Sequence, residues 1–347
     1  MSIPENHQAE TPHGLGYRWP AEWEPHAGTL LAWPHNQDTW PGNFGPIVPI
    51  YRQLIDILST GEMVHITAGK GPIFDQAAQE VGQLKNVTLH EIPTNDAWAR
   101  DHGGTFLQPP AGKRPAIIDW QYNAWGGKYA PWDDDNRVPE QLASALGYTR
   151  FEPGIVLEGG AIEGNGQGLL MTTASCVLNE NRNPAMTRLA MEKIFHDYLG
   201  TTKTLWLNGT IAGDDTDGHI DQLARFVGPN KVVAAVADPA DEANYLPLLE
   251  NYRQLQTLTN QQDEPLEIIP LPLPQPLYHK TQRLPASYCN FYICNHAVIV
   301  PMFDDPNDQR AREVLGDCFP EREIVGLDSR DLSVGLGSFH CVSQVMV

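Results

Sequence analysis

The sequence predicts an α/β fold assembled from a recurring strand–helix–strand module. Three observations carry this expectation. Short strand-like runs alternate with helical periodicity along the chain, no low-complexity linker divides it, and a set of polar islands recurs at a nearly constant interval. The 347 residues are therefore expected to form one domain over residues 1–347.

The strand-like runs are Thr29 to Pro34 (TLLAWP), Ala116 to Trp120, Leu169 to Thr173, Lys231 to Val236 and Ala297 to Phe303, all short and rich in β-branched or aliphatic residues. Ser287 to Cys294 reads as a further strand. Helical patterns cover Ile47 to Ser59, Asn183 to Leu199, with Pro184 suited to the first turn, and Glu242 to Leu258. Leu157 to Gly160 and the segment after it read as a hairpin. Its Gly164, Gly166 and Gly168 make no nucleotide fingerprint, because no helix follows them.

The interval between islands is the stronger signal. Asp96 and Glu158 are 62 residues apart, Glu158 and His219 are 61 apart, and His219 and Cys341 are 122 apart, two such steps. One step of 61 before Asp96 stands His35, and one step past His219 ends just before Ser287 to Cys294. Such a recurrence implies modules around an axis, each delivering one polar residue to a common centre, with the two chain ends completing one module.

Composition narrows the partners. The 43 acidic against 23 basic residues give a formal charge of -20, which opposes nucleic acid and anionic membrane surfaces and favours a small cation. No run approaches the roughly 20 apolar residues of a membrane span. The opening residues carry neither a basic start nor an apolar run, so a cytoplasmic location is expected. Cys176, Cys289, Cys294, Cys318 and Cys341 are too few and too scattered for a disulfide framework. Asn208-Gly209-Thr210 reads as a turn. A homo-oligomer is compatible with all of this.

The islands themselves point to chemistry. In GDDTDGHIDQ, an extended chain would put Asp217, His219 and Asp221 on one face, where a carboxylate orients a histidine for proton transfer. In NDAWARD, an extended chain would put Asp96, Trp98 and Arg100 on one face and Asp101 on the other; an internal ion pair at a strand end is the plainer account. Glu158 precedes Gly159 and Gly160, which allow close backbone approach to a ligand while the carboxylate faces it. Cys341 stands in the glycine-rich segment GLGSFHCVSQ at a strand or strand–loop transition, unlike the other four cysteines, which read as core. A thiol nucleophile, a histidine and carboxylates for a cation are the parts of a guanidine-hydrolysing site. A metal hydrolase is the alternative. The acidic run fails as a calcium loop, with Gly213 and Ala224 at ligand positions, and Cys289 and Cys294 would face opposite sides of one strand.

With these islands assembled, the chain resembles the agmatine deiminase and bacterial, Porphyromonas-type, peptidylarginine deiminase family of the guanidine-modifying (pentein) superfamily. The resemblance runs nearly end to end, through Trp19 to Asn36, NDAWARDHGGTF, DWQYNAWGGKY, EGGAIEGNGQG, DDTDGHIDQLARF, SYCNFYICN and HCVSQ. It implies a five-bladed α/β propeller with pseudo-fivefold symmetry. It further implies Cys341 as nucleophile, His219 as acid and base, and Asp96, Glu158 and Asp221 as guanidinium-binding carboxylates, with no metal and no organic cofactor. The implied reaction converts agmatine to N-carbamoylputrescine and ammonia, a step toward putrescine. Peptidyl-arginine or free arginine as substrate, an amidinotransferase, and an inactive guanidinium-binding module are the alternatives. The chain departs from the common family pattern in LGSFHCVSQ and in NDAWARD, and these departures bear on the far end of the substrate.

Overall fold

The computed structural model describes residues 11–347, so the expectation placed on the first ten residues lies outside the described part. Five sheets repeat one plan: a short first strand lies antiparallel to a second, and a helix then leads to a third strand parallel to the second. Thr105–Leu107, Ala116–Ile118 and Thr149–Phe151 make one such sheet, with Val138–Leu146 as its helix. Ile162–Gly164, Leu169–Thr173 and Lys203–Leu207 make the next around helix Arg188–Leu199. Ala224–Gly228, Lys231–Val236 and Glu267–Pro272 follow around Glu242–Leu255, then Tyr292–Ile293, Ala297–Met302 and Glu323–Asp328 around Asp308–Cys318.

The remaining sheet joins the chain ends. Ser343–Met346 pairs antiparallel with Gly28–Ala32, which runs parallel to Met63–Ala68, and that strand in turn is parallel to Val87–Glu91. The expected completion of one module by both termini is therefore present. This module carries an extra helix, Pro72–Val81, and the extra strand Val87–Glu91. Consequently the second strands, starting at Gly28, Ala116, Leu169, Lys231 and Ala297, are spaced 88, 53, 62 and 66 residues apart, less regular than the polar islands.

Helix Ile47–Leu58 shows how the sequence produces such a module. Its Ile47, Tyr51, Leu54, Ile55 and Leu58 recur at helical spacing and are buried in one cluster with Val64 and Ile66 of the following strand. Two helices differ from expectation. Arg188–Leu199 starts later than Asn183, because Thr187 Oγ1 caps it by accepting from Ala190 N at 3.2 Å. Asn183 is instead held as a turn by bonding both the N–H and the carbonyl of Val156, at 3.0 and 2.8 Å. The later helix ends at Leu255, short of Leu258. Ser287 to Cys294 is mostly not strand: a 3-10 turn spans Tyr288–Asn290, with Ser287 Oγ accepting from Cys289 N, before the two-residue strand. No helix among the described residues is long and apolar enough to cross a membrane.

Candidate active site

Each module's first strand is preceded by a tight turn, and these turns meet. Asp101 lies four residues before Thr105, Glu158 four before Ile162, Asp221 three before Ala224, Asn290 two before Tyr292 and Cys341 two before Ser343. None of the three polar islands in mid-chain is extended. Ala99–His102 is one helical turn, and Gly159–Ala161 and Ile220–Gln222 are 3-10 turns. The expected face-sharing by parity therefore fails, and the reason is local hydrogen bonding. Asp214 accepts from Thr216 N at 3.0 Å and Gly218 N at 2.8 Å, Thr216 Oγ1 accepts from His219 N at 3.0 Å, and Asp217 adopts a φ of 65°. This turn sends Asp217 to Lys128, Asn181 and Arg182, while Asp221 goes to the cysteine.

The Cys341 thiol is buried and donates to Asp221 Oδ2 at 3.5 Å. Asn290 grips the same loop: its Nδ2 donates to Cys341 Sγ at 3.1 Å, and its Oδ1 accepts from Cys341 N at 3.3 Å and Ser338 N at 3.1 Å. Asn290 escaped the sequence reading. The signal that would have found it is its place just before Tyr292–Ile293, the first strand of its module. The glycines before Cys341 have a packing cause, since a Cβ on Gly337 would fall 2.4 Å from the Trp98 ring.

His219 Nδ1 lies 3.7 Å from Asp101 Oδ1, and neither ring nitrogen of His219 has a hydrogen-bond partner among the described residues. Its carboxylate neighbour is thus Asp101, expected to face away, rather than Asp217. Asp101 is fixed on both oxygens: Gly160 N donates to Oδ1 at 2.9 Å and Trp125 Nε1 donates to Oδ2 at 3.0 Å. Gly160 must be glycine, because a Cβ there would lie 2.6 Å from His219 Nδ1 and 2.8 Å from Asp101 Oδ1. Arg100 turns away and bonds Glu22 at 2.7 Å and Gln344 at 3.0 Å. The ion pair of Arg100 is thus with Glu22, outside NDAWARD, and the segment ends in a helical turn and not in a strand, so the plainer account is not met either.

Glu158 is fully buried, accepts from Arg182 Nε at 2.7 Å, and lies with Cys176 and His219 in a group whose ligand atoms are within 4.8 Å of one another. The Arg182 guanidinium already holds one Glu158 oxygen, so this trio has a cation beside it. Asp96 accepts from Thr39 Oγ1 at 2.9 Å and Ala97 N at 2.7 Å.

Asp96, Asp101 and Cys341 line a cavity of about 760 Å³, with Trp98, Tyr122 and Trp125 among its aromatic walls. His219, Asp221 and Glu158 are outside that lining: His219 is in reach of Asp101, Asp221 of Cys341, and Glu158 of His219. Among the described residues, Lys128 is the only lysine or arginine in the wall, and it is paired to Asp215 at 3.2 Å and Asp217 at 3.1 Å.

The electrostatics follow from this enclosure. Burial pushes the Cys341 thiol well above its ordinary range, and Asp221 and Asp101 add to the effect. For His219, burial opposes the charged ring, but Asp101, Glu158, Asp221 and Asp214 together outweigh it and raise its pKa. Burial likewise opposes charge on Asp221, yet the hydrogen bond from His340 holds it below the usual carboxylate range. Asp96 is pushed up to about 7 by burial and by Asp135. The free site thus combines a protonated thiol, an imidazole whose charged form its carboxylate neighbours favour, and carboxylates, and a planar cation would complete it.

Comparison with known proteins agrees. An agmatine deiminase of Pseudomonas aeruginosa (strain UCBPP-PA14) is 34% identical over 357 positions, covering 96% of each chain. The structure of the agmatine deiminase of Enterococcus faecalis catalysing its reaction is similar at a TM-score of 0.92 and 29% identity, over 98% of each chain. A C. jejuni agmatine deiminase with a Cys→Ser substitution and substrate bound is similar at a TM-score of 0.86 and 32% identity, over 95% of this chain and 96% of the other. The mixed α/β fold is that of these deiminase structures. Residues 18–346 match the Porphyromonas-type peptidyl-arginine deiminase family, and the chain belongs to it.

Proposed function

We propose that this chain is an agmatine deiminase, hydrolysing agmatine to N-carbamoylputrescine and ammonia. The observation that carries this reading is the pairing of the Cys341 thiol, 3.5 Å from Asp221, with a cavity wall whose one lysine is already held by two carboxylates. Agmatine is a small dication and needs only anionic partners. Free arginine, or a peptide ending in arginine, would bring a carboxylate for which the described wall has no uncommitted lysine or arginine.

In the proposed mechanism, Asp96 and Asp221 accept N–H groups of the guanidinium, with Glu158 adding its charge beside His219. The bound cation favours loss of the Cys341 proton to solvent in the cavity, and as the sulfur bonds to the guanidinium carbon the C=N π pair passes to nitrogen, giving a tetrahedral adduct. His219 gives its proton to an amino group, the C–N bond breaks, and ammonia leaves a thiouronium. Neutral His219 then takes a proton from water as the water oxygen bonds to carbon. The C–S bond breaks, the new hydroxyl gives its proton to the departing thiolate, and the ureido product and the Cys341 thiol result. Asp101 keeps the imidazole oriented throughout. No step calls on a metal or organic cofactor.

The same reading treats residues 1–347 as one domain, with the five modules as blades of a propeller around a pseudo-fivefold axis, working in the cytoplasm. The repeated sheet plan and the pairing of the two chain ends support the propeller. The test compares kcat/KM for agmatine, free arginine and a peptide with C-terminal arginine. Agmatine is expected to lead. A peptide preferred by tenfold, about 1.4 kcal/mol, would replace this reading with peptidyl-arginine deimination.

A further inference from the structure

His340 lies beside Cys341, is fully buried, and has a carboxylate at each ring nitrogen. Its Nδ1 is 2.7 Å from Asp221 Oδ2 and its Nε2 is 3.1 Å from Glu22 Oε2. Glu22 is itself fixed by Arg100 at 2.7 Å, Arg225 at 2.8 Å and Ile293 N at 2.9 Å, and it forms no part of the cavity wall. Asp221 Oδ2 is therefore committed to His340 and to the Cys341 thiol, whereas its Oδ1 is buried and has no partner among the described residues. A buried carboxylate oxygen left unpaired is costly unless something donates to it.

We propose that His340 is a positioning residue of the site: pinned by Glu22, it ties down Asp221 Oδ2 and so leaves Oδ1 aimed to receive an N–H of the guanidinium. This rests on the reading of Asp221 as a substrate carboxylate. Control then runs from Glu22, near the start of the described chain, through His340 to the reacting carbon. The histidine touches no substrate. Its part is to fix which carboxylate oxygen stays free, a job that needs a ring nitrogen within hydrogen-bond reach of each carboxylate.

Two substitutions separate the ends of this bridge. The amide nitrogen of asparagine falls close to the Nδ1 position and that of glutamine close to the Nε2 position, so His340→Asn keeps the donor to Asp221 while His340→Gln loses it. With agmatine as substrate, His340→Gln should raise KM by about tenfold or more with a smaller change in kcat, and His340→Asn should recover much of that loss. Glu22→Gln slackens the histidine from its far side and should raise KM in the same direction, which keeps the test available if a His340 variant does not fold. An unchanged KM in a folded His340→Gln or Glu22→Gln protein, or Asn no better than Gln, overturns the proposal. Wild-type protein inert toward agmatine would instead overturn the functional reading, and Asp221→Asn with normal KM would remove its substrate carboxylate.

Discussion

The Cys341 sulfur stands 3.5 Å from Asp221 Oδ2, so the thiol donates to an anion. An anion at that distance, in a buried setting, disfavours the thiolate until a cation arrives between or beside them. Recognition and activation of the nucleophile are thereby coupled: the charge that draws in a guanidinium is the charge that keeps the free thiol quiet.

The first prediction concerns that thiol. Alkylation of Cys341 by iodoacetamide in the free protein should keep accelerating beyond pH 9, the ordinary thiol value, because burial, Asp221 and Asp101 all raise it. A rate plateau between about pH 6 and 8 would mean that the thiolate prevails without substrate. Cys341→Ser should leave less than about 1% of turnover with the fold intact.

The second concerns His219. Its raised pKa comes from carboxylates overcoming burial, with Asp101 the largest contributor and Glu158, Asp221 and Asp214 behind it. Asp101→Asn should therefore lower the His219 midpoint in an NMR titration of its imidazole, and kcat should fall by about tenfold or more as the ring loses its orienting partner. A midpoint that does not move would assign the cationic imidazole to the other three carboxylates.

Gly160 supplies a steric test. A Cβ there would sit 2.6 Å from His219 Nδ1, 2.8 Å from Asp101 Oδ1 and 3.1 Å from Asp221 Oδ2. Gly160→Ala is expected to lower kcat/KM by about a hundredfold or more, while circular dichroism and the melting temperature change little. Activity within threefold of wild type would show that the three side chains yield without loss of function.

Asp96 sets function against stability. Its folded pKa of about 7 lies above the ordinary 3.8, so folding favours the protonated form. Ionisation then penalises the fold increasingly from about pH 4 to pH 7 and fully above that. Asp96→Asn should stabilise the protein at pH 8 by about 1–3 kcal/mol in urea unfolding, with the gain shrinking as pH falls toward 4. The same substitution should raise KM for agmatine. Equal stability of the two proteins at pH 8 would remove the charge penalty assigned to Asp96.

Much of this was legible in the sequence because it depends on local composition. Helix Ile47–Leu58 carries its own apolar face, Leu169–Met171 and Val232–Val236 are short apolar runs, and the polar islands that hold Asp101, Glu158, Asp221 and Cys341 recur because each precedes the first strand of a module. The position of Cys341 among glycines was visible as well. What the sequence could not show is direction. The turn built by Asp214 and Thr216 removes the parity that an extended chain would have, so Asp217 leaves for Arg182 and Asp221 meets the thiol.

The sequence by itself determined the α/β module, its repetition and the residue types available for guanidine chemistry, since each follows from patterns within a few dozen residues. Only the tertiary structure decided that Asp101 rather than Asp217 stands beside His219, and that Asn290 and His340 grip the cysteine loop and Asp221. These partners lie 118 residues apart for Asp101 and His219, 51 for Asn290 and Cys341, and 119 for Asp221 and His340. Contacts of that kind arise when five separately encoded turns converge, and their geometry is set by the packing between modules and not by any one of them.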